Sequence, residues 1–166
     1  MVEPKSMRIL ITGGVKSGKS RRALELALAF PAPRHFVATA LAFDDEMREK
    51  IIRHKTERGD RFLTTEEPYR IDRVVQENCV LDCVPLWLNN LFYENRISEI
   101  DLILDSLIEG LPANIVIVTN EIGMGVIPQD PMTRRYGNEL GRINARLAAV
   151  ADRVELMVAG IPLRVK

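Results

Sequence analysis

The sequence predicts an α/β fold in which a mainly parallel central sheet carries helices on both faces. Three observations predict it. Apolar, β-branched runs alternate with segments of helical period along the 166 residues. The run Asn114-Ile115-Val116-Ile117-Val118-Thr119 shows no polar alternation, as expected of a strand covered on both sides. Gly13-Gly14-Val15-Lys16-Ser17-Gly18-Lys19-Ser20 fits the pattern Gly, four residues, Gly-Lys-Ser/Thr, behind a strand and ahead of a helix. That is a phosphate-binding loop pattern, and a random chain of this length would match it roughly once in two hundred.

The elements follow in order. Arg8 to Thr12 reads as a buried strand and Arg21 to Phe30 as a helix, which Pro31-Ala32-Pro33 breaks. Arg34 to Thr39 is a second strand. Asp44-Asp45-Glu46 begins a helix with acid at its positive end, and Met47, Ile51, His54 and Arg58 share one stripe of it. Gly59-Asp60 ends that helix, Arg61 to Thr64 is a short extended piece, and Ile71 to Glu77 is a short helix. Cys79-Val80-Leu81-Asp82-Cys83 is an apolar strand delivering a carboxylate, the form of a Walker B element. Leu86 to Tyr93 and Ser98 to Leu107 read as helices, the second with Ile100, Leu104, Leu107 and Ile108 on one face. After the Asn114 strand comes a loop with two glycines, Asn120 to Pro128. A long helix over Met132 to Ala151, a strand over Arg153 to Ala159 and an edge over Pro162 to Val165 complete the chain.

The length suits one domain over residues 7–166, behind an N-terminal extension of residues 1–6 to which no structure is assigned. Lys plus Arg (23) balance Asp plus Glu (23) with no long run of either sign, which argues against a nucleic-acid footprint or an anionic-lipid surface. No stretch is apolar enough to span a bilayer or to form a signal core, so the expectation is a soluble cytoplasmic protein. Cys79 and Cys83, four strand residues apart, lie about 13 Å from each other, beyond the reach of a disulfide. They read as buried thiols of a reducing compartment, and two cysteines alone make a poor metal site.

In such a loop the successive backbone N–H groups and the helix start converge on the anionic oxygens of a nucleotide. Lys19 reaches the β- and γ-phosphates, while the Ser20 hydroxyl and Asp82 hold Mg²⁺. Ligands of parallel sheets collect beyond the carboxyl ends of the strands, where the loop, the segment after Thr39, Asp82 and Glu121 gather.

Further patches narrow the chemistry. They are Ile11-Thr12-Gly13-Gly14 with Ser17-Gly18-Lys19-Ser20-Arg21, Ala38-Thr39-Ala40, and Asp44-Asp45-Glu46-Met47 through His54-Lys55 to Arg58. Next come Leu81-Asp82-Cys83 with Leu86-Trp87-Leu88-Asn90, Val118-Thr119-Asn120-Glu121 with Gly123-Met124-Gly125 and Pro128, and Gly141-Arg142-Asn144-Leu147-Ala148. In this order they resemble the bifunctional adenosylcobinamide kinase and adenosylcobinamide-phosphate guanylyltransferase family of cobalamin assembly. The resemblance runs from about Arg8 to the C-terminus.

It implies two reactions: phosphorylation of the aminopropanol hydroxyl of adenosylcobinamide by ATP or GTP, then transfer of GMP from GTP through a guanylyl-histidine to give adenosylcobinamide-GDP. The histidine matching that nucleophile is His54, and a neutral imidazole is a competent nucleophile at cellular pH. His35, outside the motif, reads as structural. Nucleotide-contacting positions by the same resemblance are the loop residues with Arg21, then Thr39, Ala40, Leu41, Lys55, Thr56, Glu57, Arg58, Glu66 and Asp82. Lys55 and Arg58 suit neutralisation of the triphosphate, although a solvated helix face also explains them. Glu121 could deprotonate the acceptor hydroxyl or fix its own loop. Arg142 and Asn144 read as packing or subunit-contact residues, and Trp87 as core or interface.

Val15 and Lys16 stand where alanine and arginine are common in the family, and Pro85 where threonine is usual. The expected fold is a RecA-like P-loop NTPase, and the resemblance adds a corrinoid substrate and a homotrimer. Two other readings of the loop remain: a P-loop kinase for another small alcohol with His54 silent, and a nucleotide-gated binding protein or ATPase.

Overall fold

The structure, a computed structural model, describes residues 7–166; the extension assigned to residues 1–6 lies outside them. Alternation within each strand builds the molecule. Ile9 and Ile11 of β1 (Met7–Gly13), Val80 of β4 (Cys79–Asp82), and Val116 and Val118 of β5 (Asn114–Val118) point into one core. With them pack Ala23 and Ala27 of α1 (Lys19–Ala27) and Phe36 of β2 (His35–Ala38). The intervening residues Leu10, Val37, Leu81, Ile115 and Ile117 point into a second core. That core is closed by α3 (Val84–Tyr93), α4 (Ile100–Glu109) and α5 (Pro131–Val150). Both sheet faces are covered, which is why the middle positions of these strands are apolar without alternation.

The sheet has seven strands in the order β3-β2-β4-β5-β1-β6-β7, with β3 at Leu63–Glu66, β6 at Arg153–Val158 and β7 at Ile161–Arg164. All pairings are parallel except β6 with β7. The remaining helix, α2 (Asp45–Arg58), follows β2 and is capped by the Asp44 side chain accepting from the Met47 N–H. From β1 the chain crosses through α1 to β2 on one side, and from β5 it crosses through α5 to β6 on the other. Adjacent strands β1 and β5 therefore send their connections apart, and a crevice opens beyond their carboxyl ends.

The mixed α/β architecture is as predicted, with differences at particular elements. Ile71 to Glu77 is not a helix: only a 3-10 turn forms at Ile71–Arg73. Asn78 beyond it takes a left-handed conformation, and Glu77 turns its carboxylate to the Ala113 and Asn114 N–H groups, so those residues serve the next strand. The extended piece begins later than Arg61, which is in a 3-10 turn, and runs on to Glu66 as edge strand β3. Cys83 lies beyond β4 as the N-cap of α3. Both cysteines are free, and burial pushes each thiol up to about 12. Among the described residues no helix is long and apolar enough to cross a membrane.

Glu155 ties β6 to α1. Only 1% exposed, its carboxylate accepts from Arg22 at 2.9 and 3.1 Å and also pairs with Arg153. The hydrogen bond from Arg22 holds its carboxyl below the usual value of 4.5 against the opposing effect of burial. The stabilisation is complete well above pH 4.5 and is lost as pH falls through the lower folded value. Glu155→Gln is expected to cost about 3 kcal/mol at pH 7, because it leaves Arg22 without its counter-charge. Urea denaturation should show the variant's stability changing less than the parent's between neutral pH and pH 3.

Candidate active site

The glycine loop wraps the carboxyl end of β1. Gly13 sits at φ 147°, and a Cβ there would stand 2.6 Å from the Met157 carbonyl oxygen and 2.9 Å from Ser17 Oγ. Gly18, at φ 93°, is the N-cap of α1 and turns the chain into the helix. Lys16 at φ 54° completes a loop whose turns are set by backbone, while the Val15 side chain is 81% exposed. The two substitutions relative to the family therefore fall on outward-facing side chains. Gly13→Ala is expected to displace the loop and weaken nucleotide binding at least about tenfold while the chain stays folded, as titration with a fluorescent nucleotide would show.

The buried side chain of Lys19 turns back onto the loop, donating to the Gly14 carbonyl and lying 3.5 Å from Ser17 Oγ. Burial lowers its pKa, with Cys83 and Asp82 acting in the opposite direction. Asp82 ends β4, across β5 from β1. Burial raises its pKa, opposed by a hydrogen bond from Ser20 and by the electrostatic influence of His54, Arg58 and Lys19. Ser20, Lys19, Asp82, His54 and Arg58, taken from three separate elements, thus share one electrostatic neighbourhood.

His54 lies half-buried on the stripe expected for α2, with Met47 and Ile51 half-buried above it and Arg58 below. Arg58 differs from expectation: it is 4% exposed, with its guanidinium 3.9 Å over the Phe36 ring. Its Nε has no hydrogen-bond partner and burial lowers its pKa, while Asp82, Glu66 and Glu57 favour its charge. The solvated-face account of Arg58 therefore fails. It fits Lys55, which is exposed and lies 3.9 Å from Glu66 at the end of β3.

The other positions divide. Thr39 is fully buried at the end of β2, exchanging hydrogen bonds with Cys83 and donating its N–H to the Asp82 carbonyl. Ala40 and Leu41 follow it, half-buried. Arg21 points outward from α1 and pairs with Glu25 at 3.1 Å, away from the loop. Thr56 donates its hydroxyl to the Ile52 carbonyl and Glu57 is exposed. The Glu121 N–H donates to the Gly13 carbonyl, which puts this residue's backbone beside the glycine loop at the crevice between β1 and β5, with its carboxylate near Gly123 of its own loop.

The residues fit Mg²⁺. The Ser20 hydroxyl and Asp82 carboxylate are hard oxygen donors in one neighbourhood, and Mg²⁺ takes one or two carboxylates with phosphate oxygens and water. Among the described residues no group of three His, Cys, Asp or Glu could hold a metal by itself, and such a site requires none.

A family model described as cobinamide kinase / cobinamide phosphate guanyltransferase matches residues 9–165. The chain belongs to this family. It is an enzyme of cobalamin biosynthesis, and the family's description gives it both kinase and guanylyltransferase activity. The bifunctional adenosylcobalamin biosynthesis protein CobP of Pseudomonas aeruginosa is 37% identical, covering 96% of this chain and 98% of its own. The corresponding CobU of Salmonella typhimurium is 35% identical over 96% and 100%. The flagellar accessory protein FlaH of Methanocaldococcus jannaschii superposes with a TM-score of 0.47 at 13% identity, over 98% of this chain and 79% of that one.

Three supports of the family's site were not assigned in sequence. Asn90, 1% exposed on α3, donates to the Thr39 carbonyl at 2.8 Å and to the Pro68 carbonyl at 3.1 Å, holding the ends of β2 and the β3 loop together. Asn144, expected to pack or to meet another subunit, is buried in α5, accepting from Thr119 Oγ1 at 2.6 Å and donating to the Asn120 carbonyl at 2.9 Å. It thereby fixes the residue before Glu121. The Gly160 N–H donates to the Ser17 carbonyl, so the β6–β7 turn braces the glycine loop. Both asparagines stood inside the resembling patches, whereas nothing in sequence marked Gly160. Trp87 is core, its Nε1 donating to the Tyr69 carbonyl.

Proposed function

We propose that this enzyme phosphorylates adenosylcobinamide with ATP or GTP and then transfers GMP from GTP to the product by way of guanylyl-His54. The observation that carries the reading is the shared neighbourhood of Ser20, Lys19, Asp82 and His54 at the carboxyl end of the sheet. The loop amides and Lys19 bind and orient the phosphates, while Ser20 and Asp82 hold Mg²⁺, which when bound neutralises phosphate charge. Glu121, whose N–H donates to the Gly13 carbonyl, orients the acceptor hydroxyl or takes its proton, leaving the alkoxide to accept the γ-phosphoryl group.

In the second reaction a lone-pair nitrogen of neutral His54 bonds to the α-phosphorus of GTP as pyrophosphate leaves. A phosphate oxygen of adenosylcobinamide phosphate then bonds to that phosphorus and the imidazole departs, regenerating the enzyme. The two steps address different phosphorus atoms, so the helix or the nucleotide must shift. Helix α2 suits such a shift, since Arg58 at its last position is its only buried residue.

The polypeptide acts as one domain over 7–166, in the cytoplasm, as a homotrimer; sedimentation equilibrium tests the last. Incubation with α-labelled GTP should leave an acid-labile label on the protein, located by mass spectrometry at His54. A protein that phosphorylates the corrinoid yet never takes label would be a kinase alone.

A further inference from the structure

The corrinoid must meet the protein on a surface that continues from the phosphate end, and the hydrogen bonds trace where that surface lies. Asp82 accepts from the Thr39 N–H, and the Thr39 carbonyl accepts from Asn90 of α3. Trp87 of the same helix donates to the Tyr69 carbonyl. Helix α3 is thereby fastened to the ends of β2 and of the β3 loop, with its outer residues facing away from the sheet.

Those outer residues form one wall of a groove. Asn89 and Phe92 of α3 face Met132, Thr133 and Tyr136 of α5 across an open depression of about 290 Å³. Its floor is aromatic: Phe92 and Tyr136 meet edge to face at 5.5 Å, and the Tyr136 hydroxyl donates to the Pro85 carbonyl, three residues beyond Asp82. On the next residue of α3, Tyr93, 73% exposed, packs at a tilt against Phe43 with ring centroids 5.5 Å apart, and Phe43 directly follows the Thr39 to Ala42 segment. Met132 is 56% exposed.

We infer that this groove between α3 and α5 is the docking site for the corrin ring of the acceptor, a flat conjugated macrocycle fringed with amides. The inference rests on the proposed function and assigns its substrate side. Aromatic and methionine side chains supply the apolar contact, with Asn89 and Thr133 at hand for peripheral amides. Pro85 and Asp82 are close enough along the chain, within about 11 Å even when extended, for an arm of the ring to reach the phosphates. Pro85, where the family usually has threonine, is the residue whose carbonyl holds the groove's tyrosine.

Met132→Glu and Asn89→Arg, both on exposed positions outside the nucleotide site, test it. The Michaelis constant for cobinamide in the kinase reaction is expected to rise at least about tenfold, with KM for the nucleotide, melting temperature and labelling by α-labelled GTP unchanged. Equilibrium dialysis with cobinamide, followed by its visible absorbance, should show the same loss without any turnover. Unchanged cobinamide binding in folded variants overturns the inference, as does a drop in sedimentation coefficient showing that a second copy covers the groove. Failure of the parent protein to take label defeats the proposed guanylyl transfer instead, and the dialysis still decides the groove.

Discussion

Replacing His54 by alanine is expected to abolish covalent guanylylation and formation of adenosylcobinamide-GDP, while phosphorylation of adenosylcobinamide stays within a few-fold of the parent. The asymmetry follows from position. His54 is half-buried on α2, a helix that buries only its last residue, so removing the ring opens no core cavity. It does remove the one imidazole at this end of the sheet: His35, the other histidine, begins β2, at the opposite end from Asp82. The γ-phosphoryl transfer asks nothing of the imidazole beyond its field at Asp82. Two measurements on one preparation suffice, the label from α-labelled GTP and the rate of phosphate transfer from γ-labelled ATP. A variant that still takes the α-label would remove His54 from the mechanism.

Lys19→Ala should show the complementary pattern at larger scale, with phosphoryl transfer falling by about 10²–10³-fold and guanylylation falling with it. Lys19 is buried with its ammonium against the Gly14 carbonyl and Ser17 Oγ, and burial disfavours its charge. A cation held in that way costs stability in the free protein and repays it only when phosphate arrives. The expected signature is therefore loss of activity with no loss of melting temperature. Activity near that of the parent would remove the loop from catalysis, and a large fall in melting temperature would make Lys19 a structural residue.

Much of this was legible because the signals were local. The glycine loop is fixed by a φ of 147° at Gly13 and 93° at Gly18, conformations that L side chains rarely adopt, so its sequence pattern is nearly unambiguous. Strands β1, β2, β4, β5 and β6, which show as apolar runs, are those that send residues into both cores. Edge strand β3, whose Leu63 is exposed, gave only a short extended signal displaced by two residues, and the supposed helix after it gave way to a turn because Glu77 and Asn78 are used by the neighbouring strand. The stripe Met47, Ile51, His54, Arg58 was correct in register, yet periodicity could not say that its last member would be buried over Phe36.

What the sequence by itself determined is the sheet with its two layers of helices, the phosphate loop, the carboxylate ending β4, and the family. Those follow from backbone sterics and from hydrophobic period, which act between residues a few positions apart. Tertiary structure alone decided that α1, β4 and α2 bring Ser20, Asp82 and His54 into one field, that Asn90 and Asn144 fasten the strand ends around them, and that the β6–β7 turn braces the loop. These contacts join residues 22 to 143 positions apart, as the spacings of Pro68 to Asn90 and of Ser17 to Gly160 show. Their partners are selected by strand order, a property of the whole sheet that no single segment encodes.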